Sequence, residues 1–98
     1  MGYTVERTGL NKYTVLPVVR HGSEYVLMFN MDNGCTVHMY EYETRKRLFR
    51  GNKGDFVGTY VIKEIKTRDN ETIEDVSMLT DYGFRKYLSE IIDAVFQY

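Results

Sequence analysis

The chain has little of what small proteins use for covalent chemistry or cross-linking. Among 98 residues there is one cysteine, Cys35, one proline, Pro17, no tryptophan and only two histidines. A lone cysteine excludes an internal disulfide and points to a reducing compartment. Charge of one sign is lacking too. Thirteen Lys and Arg stand against fourteen Asp and Glu, a net charge of −1, so no overall field draws the chain to nucleic acid or an anionic membrane. Long hydrophobic runs are missing. The longest purely apolar stretch is Tyr25 to Phe29, far short of a membrane span, and the first fifteen residues hold no apolar signal core. Met1-Gly2 is followed by Glu6 where a myristoylation signal needs a small hydroxyl residue. These features predict a soluble, cytoplasmic protein.

Catalytic and cofactor patterns are equally sparse. Cys35 and His38 are the only thiol and imidazole close in sequence, and on a strand positions i and i+3 face opposite ways. One cysteine and two histidines, with His21 in a turn, give no zinc-ligand spacing. The acids Glu41, Glu43, Glu64, Asp69, Glu71, Glu74 and Asp75 make no calcium-loop pattern. Gly51-Asn52-Lys53-Gly54 is too short for a phosphate loop and lacks its Lys-Ser/Thr ending. As the GxxG of a KH domain it is out of place, because that loop joins two helices and here a strand follows. The sequence therefore predicts a non-enzyme with no metal and no cofactor.

What is present is a globular composition, 43% hydrophobic and 28% charged, in a length that fits one domain over residues 1–98. The clearest pattern is at the end. Phe84, Tyr87, Leu88, Ile91, Ile92 and Val95 recur as one face of a helix over Asp81 to Tyr98. Thr80 is placed to cap it, Asp81 suits the positive end of its dipole, and Asp81 and Arg85 form an i,i+4 pair. Gly83 weakens the first turn by roughly 1 kcal/mol relative to Ala. So short a helix is marginal alone and needs a surface for its apolar face.

Everything upstream reads as strands. Tyr3 to Arg7 is the first and Gly9 ends it. Lys12 to Arg20 is the second, with Tyr13, Val15, Pro17 and Val19 on one face; Pro17 makes it an edge or marks a bulge. After a turn at His21-Gly22-Ser23, Glu24 to Met31 is apolar on both faces and predicted to be central and covered on both sides. Asn33-Gly34 signals a tight hairpin whose two central residues take positive φ. Its partner runs from Cys35 to Glu43, with Cys35, Val37 and Met39 on one face and Thr36, His38, Tyr40 and Tyr42 on the other. Thr44 to Arg50 reads as a turn and then a short strand. Asp55 to Lys66 reads as a long strand, Phe56, Tyr60 and Ile62 against Val57, Val61 and Ile65, bent or bulged at Gly58. Thr67 to Asn70 is a turn and Thr72 to Leu79 an extended lead-in to the helix. The expected fold is α+β: a twisted antiparallel sheet or partial barrel of six to seven short strands closed by one C-terminal helix. In strand count it resembles a pleckstrin-homology-like barrel, without the Trp usual in that family's closing helix.

Charge layout carries the functional expectation. Arg45, Lys46, Arg47, Arg50 and Lys53 lie between Thr44 and Gly54 with no acid among them. Asp69, Glu71, Glu74, Asp75, Asp81, Glu90 and Asp93 gather toward the end against Arg85 and Lys86. Arg and Tyr are favoured interface anchors and opposed charge patches orient a partner. The predicted contact set is Arg45, Lys46, Arg47, Arg50 and Lys53 with Tyr40 and Tyr42, on a binding module that occupies a partner protein. Nucleic acid is the alternative partner, held by the basic run with Phe49, Tyr40 and Tyr42 stacking on bases, although phosphate contacts dominate such affinity and net positive charge is missing. Self-assembly through a sheet edge is a third reading. In whole-chain character, compact, Tyr-rich and free of Trp, the sequence is similar to small accessory proteins of bacteriophages and mobile elements, including inhibitors of host defence. That resemblance implies blocking a nucleic-acid site on a host nuclease, through acids around Glu71 to Asp75 or through the Arg45 to Lys53 loop.

Overall fold

The computed structural model describes residues 2–43 and 53–97. Five antiparallel strands form one sheet: β1 Thr4–Gly9, β2 Lys12–Arg20, β3 Ser23–Asn30, β4 Cys35–Tyr42 and β5 Lys53–Ile62, in the order β1-β2-β3-β4-β5. A second, two-stranded sheet pairs β6 Ile65–Lys66 with β7 Thr72–Ile73. A 3-10 helix at Val76–Met78 leads into α1 Asp81–Lys86 and α2 Leu88–Val95. The α+β class and the antiparallel sheet stand. The barrel does not, because β1 and β5 are the two ends of an open sheet. The expected long strand stops at Ile62, and the chain leaves the sheet at Lys63-Glu64 to make β6. The resemblance to a closed barrel ends there.

Turn chemistry explains the meander. His21 (φ 53°) and Gly22 (φ 79°) both take positive φ between the paired Arg20 and Ser23, the type I′ pattern that suits strand twist. Asn33-Gly34, expected to be that tight turn, is not: only Gly34 (φ 86°) is left-handed, and the β3–β4 loop is longer. Met31 is drawn into the core, its N–H donating to the Asn11 carbonyl at 2.8 Å, and Asn30 Oδ1 accepts the Asp32 N–H at 2.9 Å. Burial of one apolar residue outweighs the local turn preference.

Two of the sheet's register shifts bear on which side chains face inward; others fall between Arg7 and Gly9 and between Phe56 and Lys53. In β2 the register shifts between Val15 and Val18, so Tyr13, Val15 and Val18 all point to the core. Since β2 lies inside the sheet, Pro17 is accommodated by the bulge and not by an edge. In β5 the register shifts beside Gly58: Met39 pairs with Gly58 but Tyr40 with Phe56. Val57 is the extra residue, and Phe56 turns away from the face that holds Tyr60 and Ile62.

The core lies between one face of the sheet and the C-terminal helices. Val15, Leu27, Phe29, Cys35, Val37 and Met39 meet Phe84, Leu88, Ile91, Ile92 and Val95. Burial of each large apolar side chain stabilises by roughly 1.5–3 kcal/mol, an upper estimate because unfolded chains are partly compact. Phe84 is the keystone of this contact. It is fully buried, stacks on Tyr13 at 4.1 Å between ring centroids and meets Phe29 edge-on at 5.1 Å. The continuous helix expected from Asp81 is two segments, because Tyr87 (φ −102°, ψ 14°) leaves helical geometry. Hydrogen bonds bracket the break, from Tyr87 N–H to the Gly83 carbonyl and from Ile91 N–H to that of Tyr87, both 3.0 Å. Thr80 Oγ1 caps the first segment by accepting the Gly83 N–H at 3.1 Å. Gly83 serves packing: a Cβ there would sit 3.1 Å from Leu79 Cδ2.

Polar links tie the helices down. The Tyr13 hydroxyl donates to Asp81 Oδ1 at 3.0 Å, and Arg85 Nε donates to Asp81 Oδ2 at 3.1 Å. Arg20 pairs with Asp93 and lies over the Phe96 ring. Arg68 N–H donates to Glu90 Oε2 at 3.2 Å. Asp75 accepts from the Ser77 N–H and hydroxyl and lies 3.8 Å from Lys63 Nζ. Among the described residues no helix is long and apolar enough to cross a membrane.

Candidate functional site: the helix-free face of the sheet

Because α1 and α2 pack on one face only, the other face carries no described helix or strand over it. Strand alternation decides what stands there. Cys35, Val37 and Met39 go to the core, and His38 and Tyr40 go to the helix-free face. The predicted division of β4 therefore holds, and Cys35 and His38 lie on opposite sides of the sheet. Burial pushes the Cys35 thiol up to about 12, with the Asp75 charge adding to the effect. Such a thiol stays protonated at neutral pH and is a weak nucleophile.

The face centres on an aromatic group. Phe56 is 57% exposed and lies edge-on to Tyr40, with 5.4 Å between centroids, and 6.3 Å from the His38 ring. Lys53 Nζ lies 4.5 Å from the centre of the Tyr40 ring, a cation–π contact worth about 0.5–1 kcal/mol at an exposed site. Tyr42 pairs with Lys53 across β4 and β5. His38 Nδ1 and Thr59 Oγ1 are 3.1 Å apart, which holds the imidazole across the same strand pair. On β3, Val26 and Met28 pair with Tyr40 and His38 on this face, and Val61 on β5 adds an apolar side chain 64% exposed. The β3 strand is thus central, as predicted; among the described residues helices cover one of its faces, and on the other Val26 is buried.

Of the predicted contact residues, Tyr40, Tyr42 and Lys53 are brought together at one end of the β4–β5 pair. Arg45, Lys46, Arg47 and Arg50, with Phe49 and the strand expected within Thr44 to Arg50, lie outside the described residues. Sequence reasoning placed His38 on this face beside Tyr40 and Tyr42 without naming it as a contact, and it missed Phe56. Phe56 was missed because simple alternation puts it with Tyr60 and Ile62, and only the bulge at Val57 moves it. The one available signal was Gly58, which marked a bulge but not its phase.

The acidic end is engaged inside the fold more than it is displayed. Hydrogen bonds from Ser77 hold the Asp75 carboxyl below the usual carboxylate range, and the Tyr13 hydroxyl, then Arg85, does the same for Asp81. A hollow of about 280 Å³ between β6 and α2 is lined by Glu64, Lys66, Glu90 and Asp93, but Glu90 and Asp93 already serve Arg68 and Arg20. Among the described residues no three His, Cys, Asp or Glu side chains gather as metal ligands would. Fold and face together define an α+β domain that presents an aromatic sheet surface. No protein-family model matches the chain, and no curated protein or solved structure is significantly similar to it.

Proposed function

We propose that this protein is a small non-enzymatic binding module that acts by occupying a partner protein with the helix-free face of its sheet. The observation that carries this reading is Phe56, more than half exposed beside Tyr40 and His38 on a face with no described element above it. Tyr anchors with apolar surroundings are the usual composition of an interface centre. Charge on the face is mixed, with Lys12 and Lys53 against Glu6 and Glu24, which suits a protein partner better than a polyanion. An inhibitor of a host defence protein, carried by a phage or mobile element, is the specific form the whole-chain composition favours.

Site-specific photocrosslinking tests it. A benzophenone side chain at Phe56 yields a saturable adduct of defined mass in a lysate of the native cells, competed by unlabelled protein and not by the Tyr40→Ala variant. The same probe at Tyr82, 73% exposed on α1, does not. No saturable adduct at Phe56, or the same adducts at both positions, refutes the reading.

A second reading is favoured by Lys53 on the Tyr40 ring, since the chain between Tyr42 and Lys53 carries Arg45, Lys46, Arg47 and Arg50 and starts and ends beside the aromatic group. A single-stranded nucleic acid stacked on Tyr40 and Phe56 then shifts in a gel at low salt, and the shift fades steeply as salt rises. Charge reversal at the four bases abolishes it. No shift at low salt removes this reading.

A further inference from the structure

The tip of the β3–β4 loop holds a pair of residues that can react without an enzyme. Of the five asparagines in the chain, only Asn33 precedes a glycine; Asn11, Asn30, Asn52 and Asn70 precede Lys12, Met31, Lys53 and Glu71. The backbone nitrogen after an asparagine can attack the side-chain amide. A side chain on the attacking residue crowds the five-membered ring that forms. Gly34 has no side chain, and its backbone turns more freely than that of any other residue. Apart from its chain neighbours, no heavy atom lies within 4 Å of where a Cβ would stand at Gly34, so the ring has space.

The fold leaves this pair outside. Met31 and Cys35 are drawn into the core at the two ends of the loop, while Asp32 and Asn33 are exposed. An isolated bridge joins Asp32 to Gly34 and sets Asn33 at the tip. A single bridge at a loop tip opens at little cost, unlike the ladders on either side. Asn30 and Asn11 are tied down instead. The Asn30 side-chain oxygen accepts the Asp32 N–H at 2.9 Å, and Asn11 Nδ2 donates to Asp32 Oδ1 at 3.2 Å.

We propose that Asn33 is a site of spontaneous deamidation in the folded protein. The Gly34 nitrogen gives its proton to solvent base and bonds to Asn33 Cγ. The Cγ–Nδ2 bond breaks, and Nδ2 leaves as ammonia. Water then adds to one of the two carbonyls of the cyclic imide, and the ring opens to aspartate or to isoaspartate. No electrons are gained or lost. Either product takes the net charge one unit below −1. The new carboxylate adjoins Asp32, which already lies 3.7 Å from Lys12 Nζ. The isoaspartate form also adds a methylene to the backbone between the buried anchors Met31 and Cys35.

Incubation of the full chain at pH 8 and 37 °C, followed by peptide mapping, tests this. The peptide that holds Asn33 gains the mass difference of oxygen over NH and splits into two products, one of them a substrate for an isoaspartyl methyltransferase. Fragmentation places the change at Asn33 and not at Asn30. The same incubation in urea gives the rate of the unrestrained chain, and the folded protein converts within about tenfold of it, a barrier difference of about 1.4 kcal/mol. Gly34→Ala slows the conversion about tenfold or more. Circular dichroism checks that this variant is folded. If it is not, Asn33→Gln, which keeps Gly34 and lengthens the side chain by one carbon, stands in with the same expected slowing. A folded protein that stays unchanged while the urea sample converts overturns the proposal. So does conversion led by another asparagine, or a folded variant that converts at the wild-type rate.

Discussion

Removal of the Phe84 ring is the sharpest test of how this domain is held together. The side chain is fully buried, and its ring meets Tyr13 of β2 and Phe29 of β3 at centroid distances of 4.1 and 5.1 Å. Phe84→Ala removes the transfer energy of the ring and both aromatic contacts, and leaves a cavity between helix and sheet. Buried Phe→Ala changes cost about 3–5 kcal/mol. Domains of this kind have about 5–15 kcal/mol in all, so one substitution takes a large share. With a urea slope of about 1.5 kcal/mol/M, the midpoint falls by roughly 2–3 M. The control is Phe56→Ala. That ring is 57% exposed on the opposite face, so its loss stays within about 1 kcal/mol. Urea titration followed by far-UV circular dichroism, with tyrosine fluorescence as a second probe, reads both variants. Should Phe84→Ala leave no folded baseline, Phe84→Leu retains most of the apolar volume and loses about 1–1.5 kcal/mol. A Phe84→Ala midpoint equivalent to less than about 1 kcal/mol from wild type would mean that the helix does not close the sheet as described, and the account of the core fails.

Three further outcomes follow from individual contacts. Tyr13→Phe removes the hydrogen bond to Asp81 while keeping the stacked ring, and lowers stability by about 1 kcal/mol in the same titration; no change would show that the bond contributes nothing net. The Asp75 and Asp81 carboxyls are held below their ordinary range, so each contributes stability that is complete above the unfolded value of about 3.9 and is lost as pH falls through the folded value. Urea midpoints therefore drop between pH 6 and pH 3, and the drop is smaller in Asp81→Asn; equal slopes for the two proteins would contradict this. Cys35 has no exposed surface and its thiol is pushed up to about 12, so an aromatic disulfide reagent at pH 8 labels it in denaturant and not in buffer. Rapid labelling of the folded protein would place Cys35 outside the core.

Much of the architecture was legible in local pattern. Alternation in β4 separated Cys35, Val37 and Met39 from His38, Tyr40 and Tyr42 correctly, because a regular strand has a fixed period of two. The apolar spacing from Phe84 to Val95 and the Thr80 cap located the helices for the same reason at a period of 3.6. Gly58 and Pro17 flagged irregular strands through properties of the residues themselves. The candidate face was half visible: Tyr40, Tyr42 and Lys53 were named as contacts and His38 was placed beside them, while Phe56 was not. A bulge changes the phase of every residue beyond it, and which residue bulges is fixed by the partner strand.

By itself, then, the sequence determined the class of the fold, the strands up to β4, the capped helical end and the separation of Cys35 from His38. These depend on residues within one or two turns of one another, where sterics and hydrogen bonding act locally. The tertiary structure alone decided that the sheet stays open, that Tyr87 interrupts the helix, that Asn33-Gly34 does not form the tight turn, and that Phe56 faces out beside Tyr40. Each of those is set by packing between segments far apart in the chain, where burying one more side chain outweighs the preference of any short stretch.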